Sequence, residues 1–121
     1  MPDHTLRDRR VLVVEDEYML ADDLTMELED SGAVVIGPVG TVHDALAMIA
    51  GTSQIDAAIL DVSLRGEMVF PAADLLVERN VPFLFTTGYD ASVFPTRFAH
   101  VPRCEKPLSM ARVTKAIGSL M

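Results

Sequence analysis

The chain has 121 residues, of which 50% are hydrophobic and 23% are charged; this balance predicts one folded domain over 1–121, with its core over about 10–121, rather than a disordered chain. A formal net charge of −8 would repel a phosphate backbone, which argues against nucleic-acid binding. No apolar run approaches the roughly 18 residues of a membrane span, the start does not look like a secretory signal, and one cysteine allows no internal disulfide, so we expect a soluble cytoplasmic protein.

The first half of the chain alternates between apolar runs, typical of buried strands, and segments in which leucine or valine recurs at helical spacing. Ser31-Gly32 supplies a stop for the first helix, and Pro38 is expected to close the second strand. Thr41 and Asp44 resemble a capping box that opens the second helix. The predicted elements are strands at 9–14 and 33–37 and helices at 17–30 and 41–51.

The third strand is the centre of the pattern. Residues 57–60 form an apolar run without polar alternation, which is typical of a strand buried on both faces. The run ends on Asp61, and a loop with Arg65-Gly66 as its turn signal follows. Asp61 is therefore predicted to lie at the carboxyl end of a central strand, where open α/β sheets bind ligands.

The second half continues the alternation, with Pro71 tolerated in the first turn of a helix and Ser109 capping the last one. A short helix around residues 90–99 is interrupted by Pro95. Five β–α repeats with right-handed connections predict an α/β fold with a doubly wound five-stranded parallel sheet. The remaining elements are helices at 71–78 and 109–120 and strands at 81–85 and 101–105.

Polar residues follow the ends of four of these strands, and parallel strands bring their carboxyl ends to one edge. The residues are Glu15-Asp16, Asp61, Thr86-Thr87 and Lys106. Three carboxylates close together repel, so at least one pKa should rise unless a cation intervenes, and Mg²⁺ is the natural candidate. Asp61 could then act as a nucleophile toward a phosphoryl group, with Lys106 and the metal stabilising charge and Thr87 bonding a phosphoryl oxygen.

At these residues the chain resembles the receiver domains of two-component response regulators, such as CheY, from about Arg10 to the C-terminus. Glu15-Asp16 matches the acidic pair of that family, Asp61 its phosphoacceptor, Thr87 its switch hydroxyl and Lys106-Pro107 its Lys-Pro dipeptide. Any one of these matches would be weak alone, but together, in order and on the right strands, they are specific. The resemblance implies the flavodoxin-like strand order 2-1-3-4-5.

The resemblance also implies the ligands and partners of the site. Asp16 and Asp61 would bind Mg²⁺ directly, Glu15 would act mostly through water, and the backbone carbonyl of Ser63 would complete the protein ligands. The Lys106-Pro107 peptide would be cis. The phosphoryl donor would be a sensor histidine kinase or a phosphotransfer protein.

One position departs from the family pattern. Receivers usually carry Tyr or Phe three residues before the lysine, where this chain has Arg103. One interpretation is that Arg103 is only a solvated residue at the edge of a strand. Segments 61–67 and 82–89 resemble the subgroup nicknamed FAT GUY, often stand-alone receivers linked to HWE-type kinases, although Thr86 replaces its usual Ala. Tyr89 could supply a mobile ring in place of the missing aromatic.

These observations predict a phosphorylation switch that acts through a protein partner or as a phosphate relay. We expect a monomer or weak dimer. Its only activities would be self-phosphorylation from small donors and slow self-dephosphorylation. A small Mg²⁺-dependent phosphatase of the haloacid dehalogenase type is an alternative, although Ser63 stands where its second Asp is expected. A flavodoxin-like carrier is another, although Glu15-Asp16 would repel FMN phosphate. The last alternative is a binding module that works without phosphorylation.

Overall fold

The computed structural model describes residues 6–88 and 94–121. The strands are β1 (Arg10–Val14), β2 (Val34–Val39), β3 (Ala57–Asp61), β4 (Ser63–Leu64), β5 (Glu67–Met68), β6 (Phe83–Thr87) and β7 (Arg103–Glu105). The helices are α1 (Tyr18–Asp30), α2 (Val42–Gly51), α3 (Phe70–Glu78) and α4 (Met110–Leu120), and a 3-10 turn spans Thr96–Phe98. Within the described ranges, every helix is too short or too polar to cross a membrane.

The main sheet is parallel and has the order β2-β1-β3-β6-β7. Without the small β4–β5 hairpin, this is the order 2-1-3-4-5 that the resemblance implied, so the α/β doubly wound fold is confirmed. The order reverses between β1 and β3, which lie side by side in the middle of the sheet. The carboxyl ends of these two strands therefore meet at the switch point where such folds bind ligands.

Two apolar clusters cover the two faces of the sheet. One contains residues of α2 and α3, together with Leu60 and Phe85 from the strands. The other contains residues of α1 and α4, together with Ile59 and Leu84. Neighbouring residues of a strand face opposite sides of the sheet. Since both sides are covered, every residue of β3 is buried. This double burial explains why residues 57–60 show no polar alternation in the sequence.

Two helix starts have the side-chain caps that the sequence predicts. The Asp44 amide donates a hydrogen bond to Thr41 Oγ1 at 3.0 Å, and the Arg112 amide donates to Ser109 Oγ at 3.4 Å. Each bond satisfies one of the backbone amides that a helix leaves free at its start. The capping residues thus set where α2 and α4 begin, and the cap of α4, Ser109, lies three residues after Lys106.

The prediction that Pro38 closes the second strand is wrong, because β2 continues through Pro38 to Val39. β2 is an edge strand, where the missing amide of a proline need not break a ladder on its open side. The register between β1 and β2 shifts between Leu12 and Val14. Gly37 has φ +90°, and a Cβ there would come within 2.9 Å of the Val39 nitrogen, so glycine suits this bulge.

Two other segments differ in detail from the sequence-based elements. The loop predicted after Asp61 contains the β4–β5 hairpin, whose turn residues Arg65 and Gly66 have φ of 49° and 85°. These left-handed values fit the Arg65-Gly66 turn signal. Of the helix predicted at 90–99, residues 90–93 lie outside the described residues, and 96–98 form the 3-10 turn. The last strand is shorter than predicted, at 103–105.

Candidate functional site

The predicted acidic residues meet at the carboxyl edge of the sheet. Glu15 and Asp16 directly follow β1, and Asp61 is the last residue of β3. One carboxylate oxygen from each of the three residues lies within 4.8 Å of the others. Glu15 and Asp61 are only 3% and 4% exposed, so two of these carboxylates are largely removed from water. This burial makes their mutual repulsion strong and a compensating positive charge necessary.

Lys106 supplies that positive charge in the structure. Its Nζ lies 3.0 Å from Asp61 Oδ2 and 3.2 Å from Glu15 Oε1. The Lys106 amide donates a hydrogen bond to the Thr87 carbonyl at 2.9 Å, which ties this loop to the end of β6. The Lys106-Pro107 peptide is cis, as the resemblance implied. The lysine therefore lies on the same rim as the carboxylates of the first and third strands.

Backbone amides donate to the carboxylates as well. The Arg65 amide donates to Asp16 Oδ2 at 2.9 Å, and the Glu17 amide donates to Glu15 Oε2 at 3.0 Å. The Ser63 amide donates a longer bond of 3.4 Å to Asp61 Oδ1. These donors have no signature in the sequence, because any residue type except proline provides a backbone amide. Only the Arg65 donor is foreshadowed in the sequence, by the Arg65-Gly66 turn signal, since this turn brings the Arg65 amide to Asp16.

The two threonines at the end of β6 point to different layers of the fold. Thr86 is fully buried and pairs in register with Asp61. It lies two residues beyond Leu84, on the side of the sheet that α1 and α4 cover. Among the described residues, its Oγ1 finds no hydrogen-bond partner. Thr87 is 1% exposed and lies at the strand end beside the Lys106 amide.

The surroundings shift three pKa values. Burial, and then hydrogen bonding and repulsion from Asp61, raise the pKa of Glu15 to about 7 against the opposing Glu17 amide and Lys106 ammonium. Burial alone would raise the pKa of Asp16, but hydrogen bonds from the Arg65 amide and the Glu15 side chain hold it below its usual value. Burial would lower the pKa of Lys106, yet its contacts with Asp61 and Glu15 hold it above its usual value.

The donor set fits a hard divalent cation. The oxygens of Glu15, Asp16 and Asp61 come from three carboxylates, and oxygen ligands are what Mg²⁺ prefers. The pKa of Glu15 stays raised to about 7, first through burial and then through its contacts with Asp61, although the Lys106 ammonium opposes this rise. Ser63 follows Asp61 closely in the hairpin, and the role of its carbonyl as a ligand stays a prediction.

Arg103 is not the solvated strand-edge residue that one reading of the sequence suggested. It is half-buried, and its guanidinium carbon lies 4.2 Å from the centre of the Phe94 ring. Tyr89, which the sequence suggested as a mobile ring in place of the missing aromatic, lies outside the described residues. The Arg103–Phe94 contact is not visible in the sequence, because the two residues come together only when the sheet has formed.

We expect the free energy of unfolding of the metal-free protein to fall as the pH rises from 4.5 to about 7, by on the order of 2 kcal/mol. Folded Glu15 keeps its proton up to about pH 7, whereas unfolded Glu15 releases it near 4.5. The folded state therefore binds more protons in this window, and raising the pH removes stability. Urea unfolding in a chelating buffer across this pH range measures the effect.

The matched control for this titration is Glu17→Gln, which changes an exposed carboxylate two residues away. Glu15→Gln should flatten the fall in stability, whereas Glu17→Gln should leave it unchanged. An equal fall in the wild type and in Glu15→Gln would show that another group titrates.

Comparison with known proteins gives a consistent set of relatives, although no family model matches the chain. The chain is 36% identical over 84 residues to the sensory transduction protein LytT of Bacillus cereus, an alignment that covers 67% of the chain and 34% of LytT. It is 29% identical over 82 residues to the transcriptional regulatory protein PdtaR of Mycobacterium tuberculosis, covering 67% of the chain and 40% of PdtaR. The match thus spans about a third to two fifths of these curated relatives.

Solved structures match over much more of their length. SdrG from Sphingomonas melonis Fr1 is 41% identical with a TM-score of 0.81, covering 93% of this chain and 96% of that one. The BeF3-activated conformation of SdrG is 39% identical with a TM-score of 0.76 and full coverage of both chains. A response regulator receiver protein from Sinorhizobium medicae WSM419, 24% identical with a TM-score of 0.81 and 95% coverage of both chains, shares the fold.

Proposed function

We propose, from the premise that the chain belongs to the receiver-domain family of response regulators, that it is a phosphorylation-controlled switch with Asp61 as its phosphoacceptor. The observation that supports this most strongly is the Lys106 ammonium, which bridges Asp61 and Glu15 at 3.0 and 3.2 Å beside Asp16. A nucleophilic carboxylate, an acidic pair and a lysine on one rim are the groups that phosphoryl transfer to aspartate requires.

Mg²⁺ is the proposed cofactor. Glu15, Asp16, Asp61 and the backbone carbonyl of Ser63 would hold it, since the three carboxylates already converge. When bound, the ion supplies positive charge that offsets the carboxylates and the charge of the transferring phosphoryl group. Glu15 would then be ionised at neutral pH, because the charge of the cation counteracts the burial and the repulsion from Asp61 that raise its pKa.

The protein groups have distinct parts in the transfer. A carboxylate oxygen of Asp61 attacks phosphorus, the bond from phosphorus to the donor breaks with its electron pair going to the donor, and an aspartyl phosphate forms. Lys106, already 3.0 Å from Asp61 Oδ2, needs to move little to pair with a phosphoryl oxygen. The Thr87 hydroxyl, at the end of the neighbouring strand β6, donates to another phosphoryl oxygen. Such new bonds to a charged group are worth roughly 1.5–3 kcal/mol each, so two of them approach the roughly 5.5 kcal/mol that turns a 1:99 equilibrium into 99:1.

The partners follow from the same proposal. The phosphoryl donor is a sensor histidine kinase or a phosphotransfer protein, and the signal leaves through a protein partner or by passing the phosphoryl group on. The more specific expectations, membership of the FAT GUY subgroup and an HWE-type kinase, depend on segments 61–67 and 82–89. Binding experiments with candidate kinases test these two expectations.

The direct test is incubation of the wild-type protein with acetyl phosphate and Mg²⁺, followed by intact mass measurement. We expect one phosphoryl group per chain, lost on mild alkaline treatment as an acyl phosphate is, and no incorporation when a chelator removes the metal. A protein that takes up no phosphoryl group but steadily hydrolyses a generic phosphomonoester would instead be a phosphatase, and the proposal would fail.

A further inference from the structure

Two contacts of the Arg103 side chain connect β7 to the segment that leads into it. The guanidinium carbon of Arg103 lies 4.2 Å from the Phe94 ring centre, well inside the roughly 6 Å limit of a cation–π contact. Its Nη2 lies 3.5 Å from the Ala99 carbonyl oxygen, at the limit of a hydrogen bond. Phe94 and Ala99 flank the 3-10 turn, so one side chain of the sheet edge restrains both ends of that turn.

Phe94 continues this contact into the sheet. Its ring centre lies 5.0 Å from that of Phe85 and 6.0 Å from that of Phe70 at the start of α3. Phe85 in turn is the direct register partner of Arg103 across the β6–β7 pair. Arg103, Phe94 and Phe85 therefore form a closed group, in which the ring of Phe94 is held between a guanidinium and a buried phenylalanine of the central sheet.

Both strands in this group end at residues that gain contacts with the phosphoryl group when Asp61 is phosphorylated in the proposed mechanism. Phe85 is two residues before Thr87 on β6, and Arg103 is three residues before Lys106, which directly follows β7. β7 has only three residues and is the edge of the sheet, so few hydrogen bonds oppose its displacement. A small movement of the ends of β6 and β7 relative to each other changes the distance between the Arg103 guanidinium and the Phe94 ring.

We propose that the Arg103–Phe94 stack is a latch that holds residues 94–99 against the sheet in the unphosphorylated protein and opens on phosphorylation. This inference rests on the proposed function and adds a mode of regulation to it. A guanidinium is planar and stacks on an aromatic face, so it holds the ring with the same geometry that a second ring would. Because the latch stabilises only the unphosphorylated form, it makes activation less favourable.

The first test removes either partner and measures the apparent affinity for beryllofluoride, a mimic of the phosphoryl group, with Mg²⁺ present. Arg103→Gln and Phe94→Leu should each tighten beryllofluoride binding by about fivefold, and the double variant should gain little more. Arg112→Gln is the matched control, because it removes an exposed arginine of α4 and should leave the affinity unchanged. Equal affinities of the wild type and both single variants would overturn the latch.

A second measurement needs no variant, so it decides the matter even if Arg103→Gln does not fold. In the wild type, the Arg103 side-chain protons should resonate upfield because they lie over the Phe94 ring, and beryllofluoride should return them to ordinary values. An upfield shift that persists in the beryllofluoride complex would overturn the latch while leaving the phosphorylation switch intact. A wild-type protein that does not bind beryllofluoride at all would overturn both.

Discussion

Asp61→Asn should reduce phosphoryl incorporation from acetyl phosphate by about a thousandfold or more, to the background of the assay. The asparagine amide has no negative oxygen to attack phosphorus, and it also replaces the carboxylate that pairs with Lys106 at 3.0 Å. Of the carboxylates in this cluster, Asp61 alone stands at the end of the central strand with the lysine beside it. Intact mass measurement after incubation with acetyl phosphate and Mg²⁺ gives the result directly.

The control for this substitution is Asp44→Asn, which makes the same chemical change at an exposed position in the first turn of α2. It should take up one phosphoryl group at the wild-type rate. Asp61→Asn keeps the size of the side chain, and circular dichroism shows whether it keeps the fold. Full incorporation into well-folded Asp61→Asn would mean that the phosphoryl group resides on another residue.

Much of this fold could be predicted because the residue pattern of each strand and helix agrees with the place of that element in the sheet. The run at 57–60 lacks polar residues since β3 is covered on both faces, and five β–α repeats, too few to close a barrel, cover both faces of an open sheet by winding around it in both directions. Once the strands are parallel, their carboxyl ends share an edge. That geometry alone brings Glu15, Asp61 and Lys106 together, although up to 91 residues separate them in the chain.

The details that could not be predicted depend on position in the sheet rather than on residue type. Pro38 ends a strand in most contexts, but β2 is an edge strand, and the bulge at Gly37 lets it continue. Whether a strand is central or at an edge is a property of the whole topology. The same holds for Arg103, whose contact with Phe94 needs the 3-10 turn and β7 to be in place together.

Within the site, side chains were predictable and backbone donors were not. The acidic pair, the nucleophile and the lysine are charged residues that directly follow predicted strands, and such a pattern is visible in the sequence. The amides of Glu17 and Arg65 are as important for the charge balance, since they oppose the rise in pKa at Glu15 and hold down that of Asp16. The direction in which these amides point is set by the local path of the backbone, and the type of a single residue does not determine that path.

Lys106→Met should slow phosphorylation by acetyl phosphate about a hundredfold, with Mg²⁺ saturating. Methionine keeps the length of the side chain but removes the ammonium that lies 3.0 Å from Asp61 and 3.2 Å from Glu15. The ammonium stabilises charge that develops on the phosphoryl oxygens, so its loss is felt in the rate of transfer. Lys115→Met, at an exposed position of α4, is the matched control and should react at the wild-type rate.

The same variant also tests the charge balance of the metal-free site. Without the ammonium, the carboxylates of Glu15 and Asp61 repel with less compensation, so the pKa of Glu15 should rise above its present value of about 7. The fall in unfolding free energy with pH should then extend to higher pH than in the wild type, because the folded state keeps its extra proton longer. If Lys106→Met reacted at full rate and showed the wild-type pH dependence, the lysine would have neither role, and the site would need another source of positive charge.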